Sequence, residues 1–105
     1  MKRLAAPALF FALIVPAVAA EGDRPDGEAL LQKHCGACHA TARTDVSRDK
    51  TAPAFRTLGQ RYPIESLEEA LAEGMLSGHP DMPEFSFDAD QVGAIIDYLK
   101  SIQQR

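Results

Sequence analysis

The chain has 105 residues, of which 46% are hydrophobic and 25% charged; this allows one globular domain and excludes a disordered segment or a two-domain protein. Eleven lysines and arginines stand against fifteen aspartates and glutamates, a formal charge of −4. Nucleic-acid backbones are bound through a basic footprint, so that class of partner is excluded.

Residues 1–20 read as a secretory signal peptide. Lys2 and Arg3 make a positive start, Leu4 to Val18 an apolar run, and Ala17-Val18-Ala19-Ala20 a small-residue exit. Pro7 and Pro16 interrupt the run, which is shorter than the roughly 20 apolar residues of a spanning helix. Cleavage near Ala20 is therefore expected, leaving residues 21–105 as a single domain in the periplasm, with nine basic and fifteen acidic residues and no stable membrane anchor. A domain this small commonly needs a disulfide, metal or cofactor to complete its core.

Asp26 is a candidate N-cap for a first helix running from Gly27 through His34 into the cysteines, with Gly27, Leu31 and Cys35 on one face. His34 is expected on its solvated surface. Thr41 to Pro53 is charged, rich in hydroxyls and without apolar period, so it reads as a compact loop. A short helix is expected over Ala54–Arg61, with Phe55 and Leu58 inward. A second opens at Ile64 or Ser66 and carries Leu67, Leu71 and Met75. Ser77 to Pro83 is a proline-restricted loop, after which Phe85 and Phe87 re-enter the interior. Asp88 or Asp90 caps a final helix with Val92, Ile95, Ile96, Leu99 and Ile102 inward. No run alternates as a strand does, and the fold class is all-α.

Cys35-Gly36-Ala37-Cys38-His39 is the Cys-x-x-Cys-His attachment signature of haem c. Two thiols three residues apart reach two vinyl groups on one porphyrin. The next residue then falls under the iron, where His39 offers Nε2 while its Nδ1–H finds a backbone carbonyl. A thioredoxin-like dithiol needs a βαβ context that is missing here. A structural zinc site needs four well-spaced ligands, and a disulfide across so short a loop stabilises little.

The candidates for the opposite face of the iron are Met75, His79, Met82 and His34. Met75 continues the Leu67–Leu71 stripe, and His34 lies on the wrong side of the attachment. Met82 is favoured because Pro83 biases it toward extended backbone, which presents the thioether across a gap. His79 shares the loop and remains its rival.

Taken together these segments resemble the class I, monohaem cytochromes c, small secreted electron carriers, over nearly all of residues 26–103. The Cys-x-x-Cys-His motif carries the resemblance together with Gly27 and Leu31, eight and four residues before Cys35. Ala94 to Lys100 resembles the family's last helix, which crosses the first at that glycine. Ala52-Pro53-Ala54-Phe55 resembles the segment whose proline carbonyl accepts the haem histidine's Nδ1–H, which makes Pro53 that candidate. Gly78 to Phe85 resembles the methionine-ligand loop, with Met82 in place. Leu31 stands where the family usually has an aromatic, and the acidity departs from the basic mitochondrial members.

What the resemblance implies is a cytochrome c-like fold, with terminal helices crossing and short helices and loops wrapping one haem c held by Cys35 and Cys38. His39 and Met82 are its expected axial ligands. Iron closed on both sides passes single electrons without bond chemistry, so the chain is expected to be a carrier and not an enzyme. The alternatives are a haem sensor or peroxidase-like protein with a labile sixth ligand, or a cytochrome subunit of a periplasmic dehydrogenase. The acidic surface predicts a redox donor and acceptor with a basic docking patch. Arg56, Arg61 and Tyr62 are candidates to meet the propionates, against a solvated helix face.

Overall fold

The computed structural model describes residues 2–16, 24–74 and 82–104. The proposed cleavage point at Ala20, together with Met75 and His79, lies outside the described residues. Residues 2–16 are exposed and without regular secondary structure. The described remainder is helical, with no strand, and no helix in it is long and apolar enough to cross a membrane.

Helix α1 spans Gly27–Cys35, and the Asp26 side chain caps it by accepting from the Ala29 N–H at 3.2 Å. The next helical segment, Phe55–Gln60, is a 3₁₀ helix. Its two buried residues, Phe55 and Leu58, are three apart, the 3₁₀ period, so both face the core without an α-turn. The helix expected from Ile64 or Ser66 also starts as a 3₁₀ turn, Ile64–Leu67, and becomes α-helical only as α2, Glu68–Glu73. Helix α3 spans Ala89–Ile102 and opens on a reciprocal capping box. The Gln91 N–H donates to the Asp88 carboxylate at 2.8 Å, while the Asp88 N–H donates to the Gln91 side chain at 3.1 Å.

Helix α3 organises the core, packing against α1, α2 and both 3₁₀ segments. Ile95 is fully buried, in one apolar core with Leu31, Phe55, Leu58, Leu71, Ile96 and Leu99. The approach of α1 to α3 depends on Gly27, where a Cβ would lie 2.2 Å from the Ala94 carbonyl oxygen. Backbone meets backbone there, so no rotamer change could make room for even an alanine.

Candidate functional site

Where α1 ends, the Gly36 N–H donates to the Gln32 carbonyl at 3.1 Å. The chain then curls so that the Cys38 and His39 N–H groups both donate to the Cys35 carbonyl, at 3.2 and 2.9 Å. Gly36 is small for a local reason: a Cβ there would lie 2.5 Å from the Gln32 carbonyl oxygen. This turn brings Cys35, Cys38 and His39 to the wall of one cavity of about 350 Å³, within the range of small-molecule and cofactor sites.

No disulfide joins the two cysteines; Cys35 is half-buried and Cys38 exposed. Burial, and then the neighbouring Cys38 sulfur, push the Cys35 thiol up to about 11. At neutral pH it stays protonated, unlike the low-pKa attacking thiol of a dithiol oxidoreductase.

The His39 ring is fixed on two sides. Its Nδ1 donates to the Pro53 carbonyl at 2.8 Å, since a carbonyl can only accept, and Nε2 is left with a free lone pair. The Phe55 ring stacks on it at 4.6 Å between centroids and 29° between planes. The Phe55 N–H in turn donates to the Ala40 carbonyl at 3.0 Å. The residue that supplies the acceptor, the residue that stacks and the residue that follows the histidine thus belong to one tied unit.

The cavity is also lined by Leu67, Leu71, Met82, Pro83, Phe85, Phe87, Ile95 and Leu99. Of the candidates for the opposite donor, Met82 and His34 are thus the described ones that reach the cavity wall, and His34, next to Cys35 in the chain, packs its ring against Phe85 and Phe87. An imidazole whose unprotonated Nε2 can donate to a metal, two cysteine sulfurs and a thioether around an apolar hollow form a donor set that fits a haem c.

Two expectations from the sequence need correction. His34 is not a surface residue: it is half-buried, lines the cavity and packs edge-on against Phe85 and Phe87, at 5.7 and 5.4 Å between centroids. Three residues after the buried Leu31, it shares the apolar face of α1. Arg56 is committed elsewhere, donating to the Asp45 main-chain carbonyl at 2.6 Å with its side chain 18% exposed. Tyr62 does line the cavity, while Arg61 is exposed.

Sequence reasoning also missed the bonds that hold the 41–53 loop. The Asp45 carboxylate accepts from the Thr41 and Ala42 N–H groups, at 3.1 and 3.0 Å, and the Ser47 hydroxyl oxygen accepts from Ala40 at 2.9 Å. The Tyr98 hydroxyl donates to the Thr41 carbonyl at 2.6 Å, joining this loop to α3. The Thr41–Asp45 spacing was the available signal, since a short acidic side chain commonly accepts from nearby main-chain N–H groups in turns.

Residues 22–99 match the family model described as "Cytochrome C oxidase, cbb3-type, subunit III". No curated protein and no solved structure matches the chain. Haem c in such a domain is covalently bound, and Cys35 and Cys38 are the only two cysteines of the sequence. With that match spanning most of its length, from before α1 to Leu99 in α3, the chain belongs to this cytochrome c family and is a monohaem class I cytochrome c.

Proposed function

We propose that the protein is a periplasmic one-electron carrier, soluble once residues 1–20 have been removed as a signal peptide, with its haem c joined to Cys35 and Cys38 and ligated by His39 and Met82. The observation that carries this reading is the apolar cavity lined by both cysteines, the His39 imidazole and the Met82 side chain. The haem supplies the Fe(III)/Fe(II) couple. The chain binds it, excludes water and sets the potential. Pro53 holds the Nδ1 proton, which keeps Nε2 as the donor to iron and raises its basicity. A methionine opposite favours Fe(II), and the apolar wall formed by Leu67, Leu71, Phe85 and Ile95 adds to that preference. The terminal helices are in contact at Gly27 and Ala94 and would cross there, with the short helices and loops wrapping the haem.

The ferric spectrum tests the ligand pair. A far-red sulfur-to-iron charge-transfer band is expected, lost in Met82→Ala and retained in His79→Ala. Absence of the band in the unaltered protein, together with ready binding of nitric oxide, carbon monoxide or peroxide, would instead establish the sensor or peroxidase-like alternative.

Charge guides the choice of partner. Residues 62–99 contain nine acidic side chains and no lysine or arginine, whereas residues 33–61 contain six basic and two acidic ones. The acidic half suits a redox donor or acceptor with a basic docking patch. Its association rate is then expected to fall as salt shortens the Debye length below about 10 Å. A salt-independent rate for every donor and acceptor tried would remove the steering argument. The family description names an oxidase subunit, which favours a second arrangement, a cytochrome subunit of a larger periplasmic oxidoreductase. Isolation of the protein alone or in a stable complex separates the two.

A further inference from the structure

The residue after α3 does more than end the chain's last helix. The Gln103 carboxamide uses both its donor and its acceptor atoms. Nε2 donates to the carbonyls of Leu99 and Phe55, each at 2.8 Å, and Oε1 accepts from the Gly59 N–H at 2.7 Å. Two carbonyls and one N–H fix which end of the amide is nitrogen. Beside it the Gln104 N–H donates to the Arg56 carbonyl at 2.9 Å. One side chain therefore ties the last turn of α3 to two points of the 3₁₀ helix Phe55–Gln60.

That 3₁₀ helix is the mount of the His39 ring. Its first residue, Phe55, stacks on the imidazole, and Pro53, two residues earlier, accepts the Nδ1 proton. A 3₁₀ helix has poorer hydrogen-bond geometry than an α-helix and depends more on outside anchors. Here the anchor is the tail of α3. We infer that Gln103 is a positioning residue for the axial imidazole, setting the plane of the His39 ring through Phe55 and Pro53 without touching it. This rests on the reading of His39 as the iron's ligand.

The test is the proton NMR spectrum of the ferric holoprotein, where the spread and order of the four haem-methyl resonances follow the orientation of the axial imidazole plane. Gln103→Met keeps the side-chain bulk and removes all three bonds; it is expected to change the order or narrow the spread. Gln103→Glu keeps the acceptor for Gly59 and loses the donations, and is expected to change the pattern in the same direction; it serves as the readout should Gln103→Met yield no holoprotein. Asp88→Ala weakens α3 from its other end without touching the 3₁₀ helix, and is expected to lower the unfolding midpoint while leaving the pattern as in the unaltered protein. A Gln103 variant with lowered midpoint and unchanged pattern would overturn the inference, as would an equal change in Asp88→Ala. Hyperfine-shifted His39 ring protons in the unaltered protein report ligation separately. Their absence would remove the ligand reading itself, whereas their presence beside an unmoved pattern would remove only the role of Gln103.

Discussion

The two walls of the cavity are built by different physics. On the His39 side, directional bonds follow one another. Pro53 accepts from the ring, Asp45 and Ser47 accept from the main chain just after it, Arg56 donates to Asp45, and Tyr98 and Gln103 tie the unit to α3. On the Met82 side the side chains pack by apolar and ring contacts. Leu67, Leu71, Met82, Phe85 and Phe87 stand together, with the Phe87 N–H donating to the Leu71 carbonyl at 2.9 Å and the His34 ring edge-on to both phenylalanines. An imidazole donor has a plane to be held, and hydrogen bonds hold planes. A thioether on a flexible stem needs distance and dryness, which packing provides.

The most demanding way to break this comparison is to cut one large side chain from each wall. Phe55→Ala is expected to cost about 3–5 kcal/mol and Leu71→Ala about 2–5 kcal/mol, both measured by denaturant unfolding of the holoprotein. The costs overlap because both residues are buried in one core. The spectra should differ: Phe55→Ala removes the ring stacked on His39 and should move the haem-methyl pattern, while Leu71→Ala should weaken the far-red band first. Identical spectral responses would mean that the two walls are not distinct.

A smaller cut sharpens the polar wall alone. Tyr98→Phe removes the hydroxyl that donates to Thr41 and leaves that carbonyl without its α3 partner, an expected loss of about 0.5–1.5 kcal/mol at neutral pH. Partial burial, then the Glu28 and Asp45 carboxylates, hold the Tyr98 hydroxyl above the ordinary tyrosine value of 10.0. A raised acid contributes its stability in full below the unfolded value and loses it as pH climbs through the folded one. The unaltered protein should therefore lose stability above pH 10.0, and Tyr98→Phe should lose less over that range. Unfolding midpoints measured across the alkaline range check the sign.

This difference between the walls also explains what was legible in the sequence. The helix α3 is legible because its apolar residues recur at three and four positions, whereas the choice between Asp88 and Asp90 as its cap is made only by the Asp88–Gln91 pairing in the fold. The attachment turn was legible because its chemistry fixes its spacing. The 3₁₀ character of Phe55–Gln60 was harder to read, since a six-residue segment with two apolar positions three apart suits either helix type. The place of His34 before Cys35 suggests a solvated residue, whereas its spacing from Leu31 puts it on the inner face. Gln103 left no signal at all: a polar residue after a helix reads as solvated until the fold brings Phe55 and Gly59 beside it. The apolar wall is written in period, whereas the polar wall depends on contacts between distant parts of the chain.

The smallest expected effect lies outside both walls and serves as the control for them. Lys100 and Glu65 pair at 2.7 Å between α3 and the 3₁₀ turn Ile64–Leu67, with both side chains well exposed. The hydrogen bond from Lys100 lowers the Glu65 carboxyl below its ordinary 4.5, and the same bond raises Lys100 above 10.5. The Glu65 contribution is thus present above pH 4.5 and lost as pH falls through its lowered value. The Lys100 contribution is present below pH 10.5 and lost as pH rises through its raised one. Solvent and salt screen an exposed pair, so Glu65→Gln should shift the neutral unfolding midpoint least of all these variants, slightly flatten the acid limb of the stability curve, and leave both spectra unchanged. A spectral change in Glu65→Gln would show that the His39 and Met82 walls respond to any disturbance of α3, and the bonds at Tyr98 and Gln103 would then lose their special standing.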